Sequence, residues 1–146
     1  MKKTDYYLAH PFDSRKWVRE WQLKIQRSSN IKIANPFYSK YRNDVETWDH
    51  KDSSGNKIYE KLNSDYIVSR DLELIRRQEK GTIAIVDGSI SYGTIQEMVY
   101  SKLYGKIVYA LITNGHHNHP WLKFHSDKVF TDITKLENHL KNEEVN

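Results

Sequence analysis

Short apolar runs that alternate with amphipathic segments are the feature that most limits the fold of this chain. The runs span residues 6–9, 31–34, 82–86 and 106–113, with a shorter one at 129–130. Runs of this length that end at Pro, Gly or Asn are typical of buried strands. The segments between them have helical spacing, and strands that alternate with helices indicate a parallel sheet covered on both faces.

Four segments are predicted to be helices from the spacing of their apolar residues. Hydroxyl side chains stand where the first three should begin, and glycines stand where the second and third should stop. The predicted limits are Ser14 to about residue 30, Ser69 to Gly81, Thr94 to Gly105, and about 132–141.

The size and composition favour one folded domain over residues 1–146. The chain is 38% hydrophobic and 12% aromatic, which is too apolar for a disordered tail. A polar, irregular segment is expected at about residues 38–63, because it has few apolar positions. Connections this long within a compact domain are usually functional or mobile.

Composition also excludes several classes of protein. There is no cysteine, so disulfides and zinc sites with thiolate ligands are excluded. No apolar run approaches the length of a membrane span, and the N-terminus lacks a signal sequence, so a cytoplasmic location is expected. The net charge of +4 is scattered among acidic residues, which makes a nucleic-acid polymer an unlikely partner but suits a small phosphorylated molecule.

Glu97 is the residue with the clearest chemical potential. It follows a strand and a glycine-containing loop, in the predicted first turn of a helix, where the helix dipole favours an ionised carboxylate. Such a carboxylate can attack an anomeric carbon, but Thr94 and Glu97 also have the spacing of a capping box. Asp71 has the same two interpretations, as a ligand contact or as a charge at its own helix terminus. The loops after residues 9, 86 and 113 should meet at the carboxyl edge of the sheet.

Several motifs resemble the nucleoside 2-deoxyribosyltransferase family. They occur in the family's order and cover most of the chain, though not the segment 38–63. They are YLAHPF at 7–12, RDL at 70–72, DG at 87–88, GTIQEMVY at 93–100 and GK at 105–106. The resemblance implies an α/β, flavodoxin-like (Rossmann-like) three-layer sandwich with a mainly parallel five-stranded sheet.

The resemblance also implies the roles of individual residues. Glu97 matches the family's nucleophile, and Tyr7 matches a tyrosine that could orient the glutamate. Asp71 matches an aspartate that binds substrate, and it is counted with the catalytic residues because it could also assist proton transfer to the leaving base. The implied reaction cleaves the N-glycosidic bond of a (deoxy)nucleoside or its 5′-monophosphate through a covalent glycosyl-Glu97 intermediate, and transfers the sugar to another base or to water. No cofactor is expected, and a homo-oligomer is expected from the resemblance alone. The residues expected to contact substrate are His10, Asp87, Gly88, Ser89, Ser91, Gly93 and Asn114.

One departure from the family pattern bears on the substrate. Family members that accept free nucleosides commonly carry an aspartate six positions before the nucleophile, where this chain has Ser91. In the related deoxynucleoside 5′-monophosphate N-glycosidases, a serine there contacts the phosphate. Ser91 therefore favours a nucleotide, although serine is also an ordinary turn residue. A non-catalytic nucleotide-binding module, such as a sensor or a sequestering protein, is the alternative function, because fold does not fix activity.

The remaining candidates are residues with two interpretations each. His116, His117 and His119 form a cluster after a predicted strand, but we expect a solvated loop there and no metal site. His10 and Asp13 could line the pocket or stabilise a loop. Trp17 and Trp21 lie on an apolar helix face and are assigned to packing. Other aromatic residues could stack on a base, although such side chains are more often core, and they are Phe37, Tyr38 and Tyr41.

Overall fold

The fold is known from a computed structural model that describes residues 3–38, 51–59 and 62–145. Within these residues the strands are β1 (Tyr6–Ala9), β2 (Ile33–Ala34), β3 (Gly81–Val86), β4 (Ile107–Ile112) and β5 (Lys128–Phe130). The α-helices of the same residues are α1 (Arg15–Ser28), α2 (Ser64–Arg77), α3 (Tyr92–Leu103), α4 (Pro120–Phe124) and α5 (Ile133–Val145). Short 3-10 turns, Phe12–Ser14 and Pro36–Tyr38, follow β1 and β2. None of the described helices is long and apolar enough to cross a membrane.

The strands form one sheet in which every pairing is parallel. Their order is β2-β1-β3-β4-β5, which is the flavodoxin-like order, so the predicted fold class is confirmed. The order reverses between β1 and β3, because β2 lies beside β1 and β4 lies beside β3. Ligands of open parallel sheets bind beyond the carboxyl ends of the strands at such a reversal.

Alternate residues of each strand face opposite layers of helices, as the two-residue period of a strand requires. Tyr6 and Leu8 of β1 pack in the core shared with α1 and α5. Tyr7 and Ala9 pack in the core shared with α2, α3 and α4. The helix that carries Glu97 therefore covers the face of the sheet to which Tyr7 points.

α2 begins six residues earlier than predicted. Its N-cap is Asn63, whose side-chain oxygen accepts a hydrogen bond from the backbone N–H of Tyr66 at 3.0 Å. The prediction that Ser69 caps this helix is wrong, and Asp71 lies two turns inside the helix rather than at its terminus. Gly81 is not the stop either, because α2 ends at Arg77 and Gly81 is the first residue of β3.

α3 also begins earlier than predicted, at Tyr92. Ser91 is its N-cap, and the Oγ of Ser91 accepts from the backbone N–H of Thr94 at 3.3 Å. The capping box predicted for Thr94 and Glu97 is therefore wrong, because Glu97 lies in the second turn and the first turn has no acidic residue. The effect of the helix dipole on Glu97 is correspondingly small. The predicted stop at Gly105 is correct, since this residue has φ +74° after the C-cap residue Tyr104.

The described part of the polar segment 38–63 contains a tight turn over residues 52–56. Residues 39–50 and 60–61 of that segment lie outside the described residues. Asp52 Oδ1 accepts from the backbone N–H groups of Ser54 and Asn56, both at 2.9 Å. Lys57 Nζ lies 3.0 Å from Asp13 Oδ1, so the turn contacts the segment that follows β1.

We expect Gly81→Ala to destabilise the sheet strongly. A Cβ at position 81 would overlap the carbonyl oxygen of Ile107 on the adjacent β4 and lie 2.8 Å from its carbonyl carbon. Both groups are backbone and cannot move aside alone, so the free energy of unfolding should fall by about 3 kcal/mol in urea denaturation. Gly93→Ala is the control, because the nearest heavy atom to its new Cβ is 4.0 Å away. Equal stability of the two variants would contradict this packing.

Candidate active site

A contact between Tyr7 and Glu97 lies at the centre of the candidate site. Tyr7 is completely buried in β1, and its hydroxyl donates a hydrogen bond to Glu97 Oε2. β1 lies on one side of the reversal in strand order, whereas α3 follows β3 on the other side. The fold thus brings together two residues that the sequence places far apart, and a phenol fixes one oxygen of the carboxylate.

The start of α3 places a glycine beside the Glu97 carboxylate. Ser91 Oγ accepts from the N–H and, at 2.9 Å, from the hydroxyl of Thr94, which fixes the first turn of the helix. Gly93 lies one turn before Glu97, and a Cβ there would be 4.0 Å from Glu97 Oε1. The absence of a side chain at Gly93 leaves space beside that oxygen.

Asp71 lies on α2, on the same side of the sheet as Tyr7 and Glu97. Arg70 donates to Asp71 Oδ1 from Nη2 at 2.9 Å and from Nε at 3.1 Å. The Asp71 side chain is 16% exposed. Ile75, one turn further along α2, packs in the core that contains Tyr7 and Met98 of α3. The expected substrate contact is therefore an aspartate held in an ion pair on the helix beside α3.

Asp87, directly after β3, joins three segments of the chain, and we call this group the Asp87 junction. Its Oδ2 accepts from the Ser14 hydroxyl at 3.0 Å and from Trp17 Nε1 at 3.2 Å, and its Oδ1 accepts from the Thr113 hydroxyl at 2.6 Å. The bond from Thr113 is the largest factor that holds the pKa of Asp87 below its usual range, and Ser14 and Trp17 act in the same direction against partial burial. The loops after β1, β3 and β4 therefore meet, as the sequence predicted.

The Asp87 junction changes the interpretation of two predictions. Ser14 is the N-cap residue of α1, as expected, but its side chain makes no cap hydrogen bond, and its hydroxyl donates to Asp87. Trp17, assigned to packing, is partly buried against the core and also donates from its indole N–H. The carboxylate of Asp87, expected to contact substrate, is occupied by three donors within the protein.

The other expected substrate contacts have different environments. His10 is 3% exposed, and its ring nitrogens lie 2.9 Å from Asn35 Oδ1 and 3.1 Å from the Pro11 carbonyl oxygen, which supports a structural role. Asn114 donates to the Gly88 carbonyl oxygen at 3.0 Å and links the loops after β3 and β4. Gly88, at φ +68°, and Ser89 are exposed between Asp87 and α3.

The histidine cluster forms the connection to α4, a helix that the sequence did not indicate. His119 is the N-cap of α4, and its Nδ1 accepts from the backbone N–H of Trp121 at 3.3 Å. The backbone N–H of His116 donates to Asn114 Oδ1 at 3.1 Å. Among residues 3–38, 51–59 and 62–145, no three His, Asp or Glu side chains are placed to hold a metal ion.

Two residues that the sequence analysis missed connect Glu97 to the sheet. Ser101 donates from its hydroxyl to the backbone carbonyl oxygen of Glu97 at 2.7 Å, and Thr82 Oγ1 lies 2.7 Å from Ser101 Oγ. Both side chains are completely buried. A threonine within the apolar strand β3 and a serine one turn after the candidate nucleophile were the available signals.

Neither the family models nor the curated proteins include a match to this sequence. Among solved structures, a conserved protein from Enterococcus faecalis V583 is 18% identical with a TM-score of 0.70, over 97% of this chain and 99% of that one. A 2-deoxyribosyltransferase from Bacillus psychrosaccharolyticus is 22% identical with a TM-score of 0.64, over 92% and 91%. A CMP N-glycosidase from Clostridium botulinum is 15% identical with a TM-score of 0.58, over 94% and 98%.

The chain shares its fold with both of these enzymes. At identities this low, the structural similarity establishes the fold alone. This fold agrees with the one implied by the resemblance of the sequence motifs.

We expect Asp87→Asn to destabilise the protein by about 1–3 kcal/mol at pH 7, because the amide lacks the charge and presents N–H groups to three donors. The folded pKa of Asp87 lies below its usual 3.8, so the contribution is full above that value and is lost as the pH falls through the folded pKa. The difference in urea stability between wild type and variant should therefore shrink in acid.

Asp13→Asn is the matched control for this prediction. Asp13 is 73% exposed and pairs with Lys57, so its substitution should change stability by less than about 1 kcal/mol. A difference between wild type and Asp87→Asn that stays constant down to acid pH would contradict the role of the ionised carboxylate.

Proposed function

We propose that this protein cleaves the N-glycosidic bond of a (deoxy)nucleoside or its 5′-monophosphate, with Glu97 as the nucleophile. The observation that carries the proposal is the hydrogen bond from Tyr7 to the Glu97 carboxylate, which spans the reversal between β1 and β3. The fold supports it, because solved structures with this fold include a 2-deoxyribosyltransferase and a CMP N-glycosidase.

The proposed reaction depends on the different surroundings of the two oxygens of the Glu97 carboxylate. Tyr7 holds Oε2, which limits rotation of the side chain, and Gly93 leaves room beside Oε1. An oriented carboxylate can stabilise an oxocarbenium-like transition state and form a glycosyl ester as the bond from C1′ to the base breaks. The base leaves with a proton taken from solvent. A second base or water then attacks C1′ and releases a proton to solvent, and the ester bond to Glu97 breaks to restore the carboxylate. No cofactor enters this reaction.

Asp71 is proposed to bind the substrate. Its partner Arg70 lies 2.9 Å from Oδ1, and carboxylate oxygens can accept a hydrogen bond from a sugar hydroxyl or a base N–H. This role differs from proton donation to the leaving base. The ion pair therefore supports orientation of the substrate as the contribution of Asp71.

Ser91 supports a phosphorylated substrate. Two donors of Thr94 occupy the acceptor positions of Ser91 Oγ, and within the described residues the hydrogen of this hydroxyl has no acceptor. Ser91 can therefore donate outward from the start of α3, where the backbone N–H groups also favour an anion. A homo-oligomeric state and a cytoplasmic location, both expected from the sequence, remain parts of the proposal.

The proposed function is tested by incubating the protein with a panel of deoxynucleosides, ribonucleosides and their 5′-monophosphates. Chromatography measures the free base that is released. A second base added to the reaction distinguishes transfer from hydrolysis. Saturable binding of a nucleotide without any base release would reject catalysis and favour the nucleotide-binding module.

Glu97→Gln should abolish base release while substrate binding persists, because an amide keeps the shape but cannot attack C1′. Glu97 does not cap α3, and the Tyr7 hydroxyl can still donate to the amide oxygen, so the melting temperature should change little. Mass spectrometry of the wild type, quenched with substrate, should detect a glycosyl adduct on the peptide that contains Glu97. Undiminished turnover in the folded variant would reject Glu97 as the nucleophile.

Ser91→Asp should shift selectivity from monophosphates to free nucleosides. Aspartate keeps the N-cap acceptor, so α3 should remain stable, but its charge repels a 5′-phosphate. Two unit charges at 4 Å interact by about 4 kcal/mol at an effective dielectric of 20, so the ratio of kcat/KM values should change at least several-fold after screening.

Ser91→Asn is the matched control for this substitution, because it has the same shape and capping ability without the charge. An equal ratio of nucleoside to monophosphate turnover in the Asp and Asn variants would show that no phosphate lies near Ser91.

A further inference from the structure

A chain of buried hydroxyl groups ties the backbone of Glu97 to the sheet. Ser101 donates to the Glu97 carbonyl oxygen at 2.7 Å, and Thr82 Oγ1 is 2.7 Å from Ser101 Oγ. A serine hydroxyl has one hydrogen, and Ser101 uses it on Glu97, so Thr82 must be the donor to Ser101. The chain therefore runs in one direction, from Thr82 through Ser101 to Glu97.

The register of the sheet places this chain beside Tyr7. Tyr7 on β1 and Thr82 on β3 are directly paired, and both are completely buried. Tyr7 contacts the side chain of Glu97, whereas Thr82 reaches its main chain through Ser101. One pair of neighbouring strand residues thus holds both the carboxylate and the backbone of Glu97.

We propose that Thr82 and Ser101 are positioning residues for Glu97, and this inference rests on the proposed function. The Tyr7 hydroxyl is fixed by β1, so its contact with Glu97 depends on where α3 lies on the sheet. The hydrogen bonds from Thr82 through Ser101 to Glu97 hold the turn of α3 that contains Glu97 at a fixed distance from β3. Misplacement of a reacting group by about 1 Å can lower a rate by up to about 100-fold, so a small shift of α3 should affect turnover.

The test separates positioning from stability with the single variant Ser101→Ala and the double variant that adds Thr82→Val. Ser101→Ala leaves the Thr82 hydroxyl buried without its acceptor, so its melting temperature should fall by about 5 °C. Thr82→Val in the same chain removes both hydroxyls, and loss of both partners of a buried hydrogen bond is nearly neutral for stability. The double variant should therefore regain much of the lost melting temperature.

Turnover, unlike the melting temperature, should not recover in the double variant. We expect kcat of the double variant to stay at least about tenfold below wild type with KM within about twofold, because ground-state contacts are intact. Ile25→Val, in the core on the other face of the sheet, provides a modest loss of stability far from Glu97 and should leave kcat unchanged. Recovery of kcat together with the melting temperature would overturn the proposal.

A readout that needs no turnover completes the test. In protein labelled with 13C at glutamate Cδ, the Glu97 resonance is the one missing from Glu97→Gln. Tyr7→Phe shows how this resonance moves when the phenol is lost, and the double variant should move it in the same direction. A resonance that stays at the wild-type position in the double variant would overturn the inference. If the wild type releases no base from the whole panel, the proposed function fails, and the resonance alone decides whether Thr82 and Ser101 position Glu97.

Discussion

The parallel pairing of β1 with β3 sets the positions of the groups in the candidate site. It places Tyr7 beside Thr82, and it directs both side chains toward the layer that contains α3. β3 also leads into the loop of Asp87 and then into α3, so Glu97 returns over the same two strands. A shift of one residue in this register would turn Tyr7 to the opposite face and separate it from Glu97. The register of two strands therefore determines whether the carboxylate has its hydrogen-bond donor.

The strands could be predicted because burial on both faces requires short, nearly continuous apolar runs. The observed limits of β3 and β4 lie within one residue of the predicted ones, whereas the edge strand β2 keeps only Ile33 and Ala34. Strand order could not be predicted in this way, because apolar periodicity carries no information about which strands are neighbours. That part of the prediction depended on the resemblance of the motifs, including the residues around Tyr7 and Glu97.

Helix starts and side-chain roles were less predictable because they depend on contacts distant in sequence. The sequence analysis placed the starts of α2 and α3 at Ser69 and Thr94, whereas the observed N-caps are Asn63 and Ser91. Asp87 was predicted to contact substrate, but its carboxylate accepts hydrogen bonds from three donors in other segments of the chain. α5 likewise continues to Val145, past its predicted end, where Glu143 accepts hydrogen bonds from Tyr6 and Tyr109.

Gly93 differs from the other glycines, which are explained either by a positive φ or by close approach of neighbouring backbone. Four of the six have positive φ, and Gly81 lies too close to Ile107 for a side chain. Gly93 has neither property, and a glycine within a helix costs about 1 kcal/mol relative to alanine. The nearest atom to a side chain at this position would be Oε1 of Glu97. The fold would thus gain from alanine at position 93, and the space beside the carboxylate is what glycine preserves.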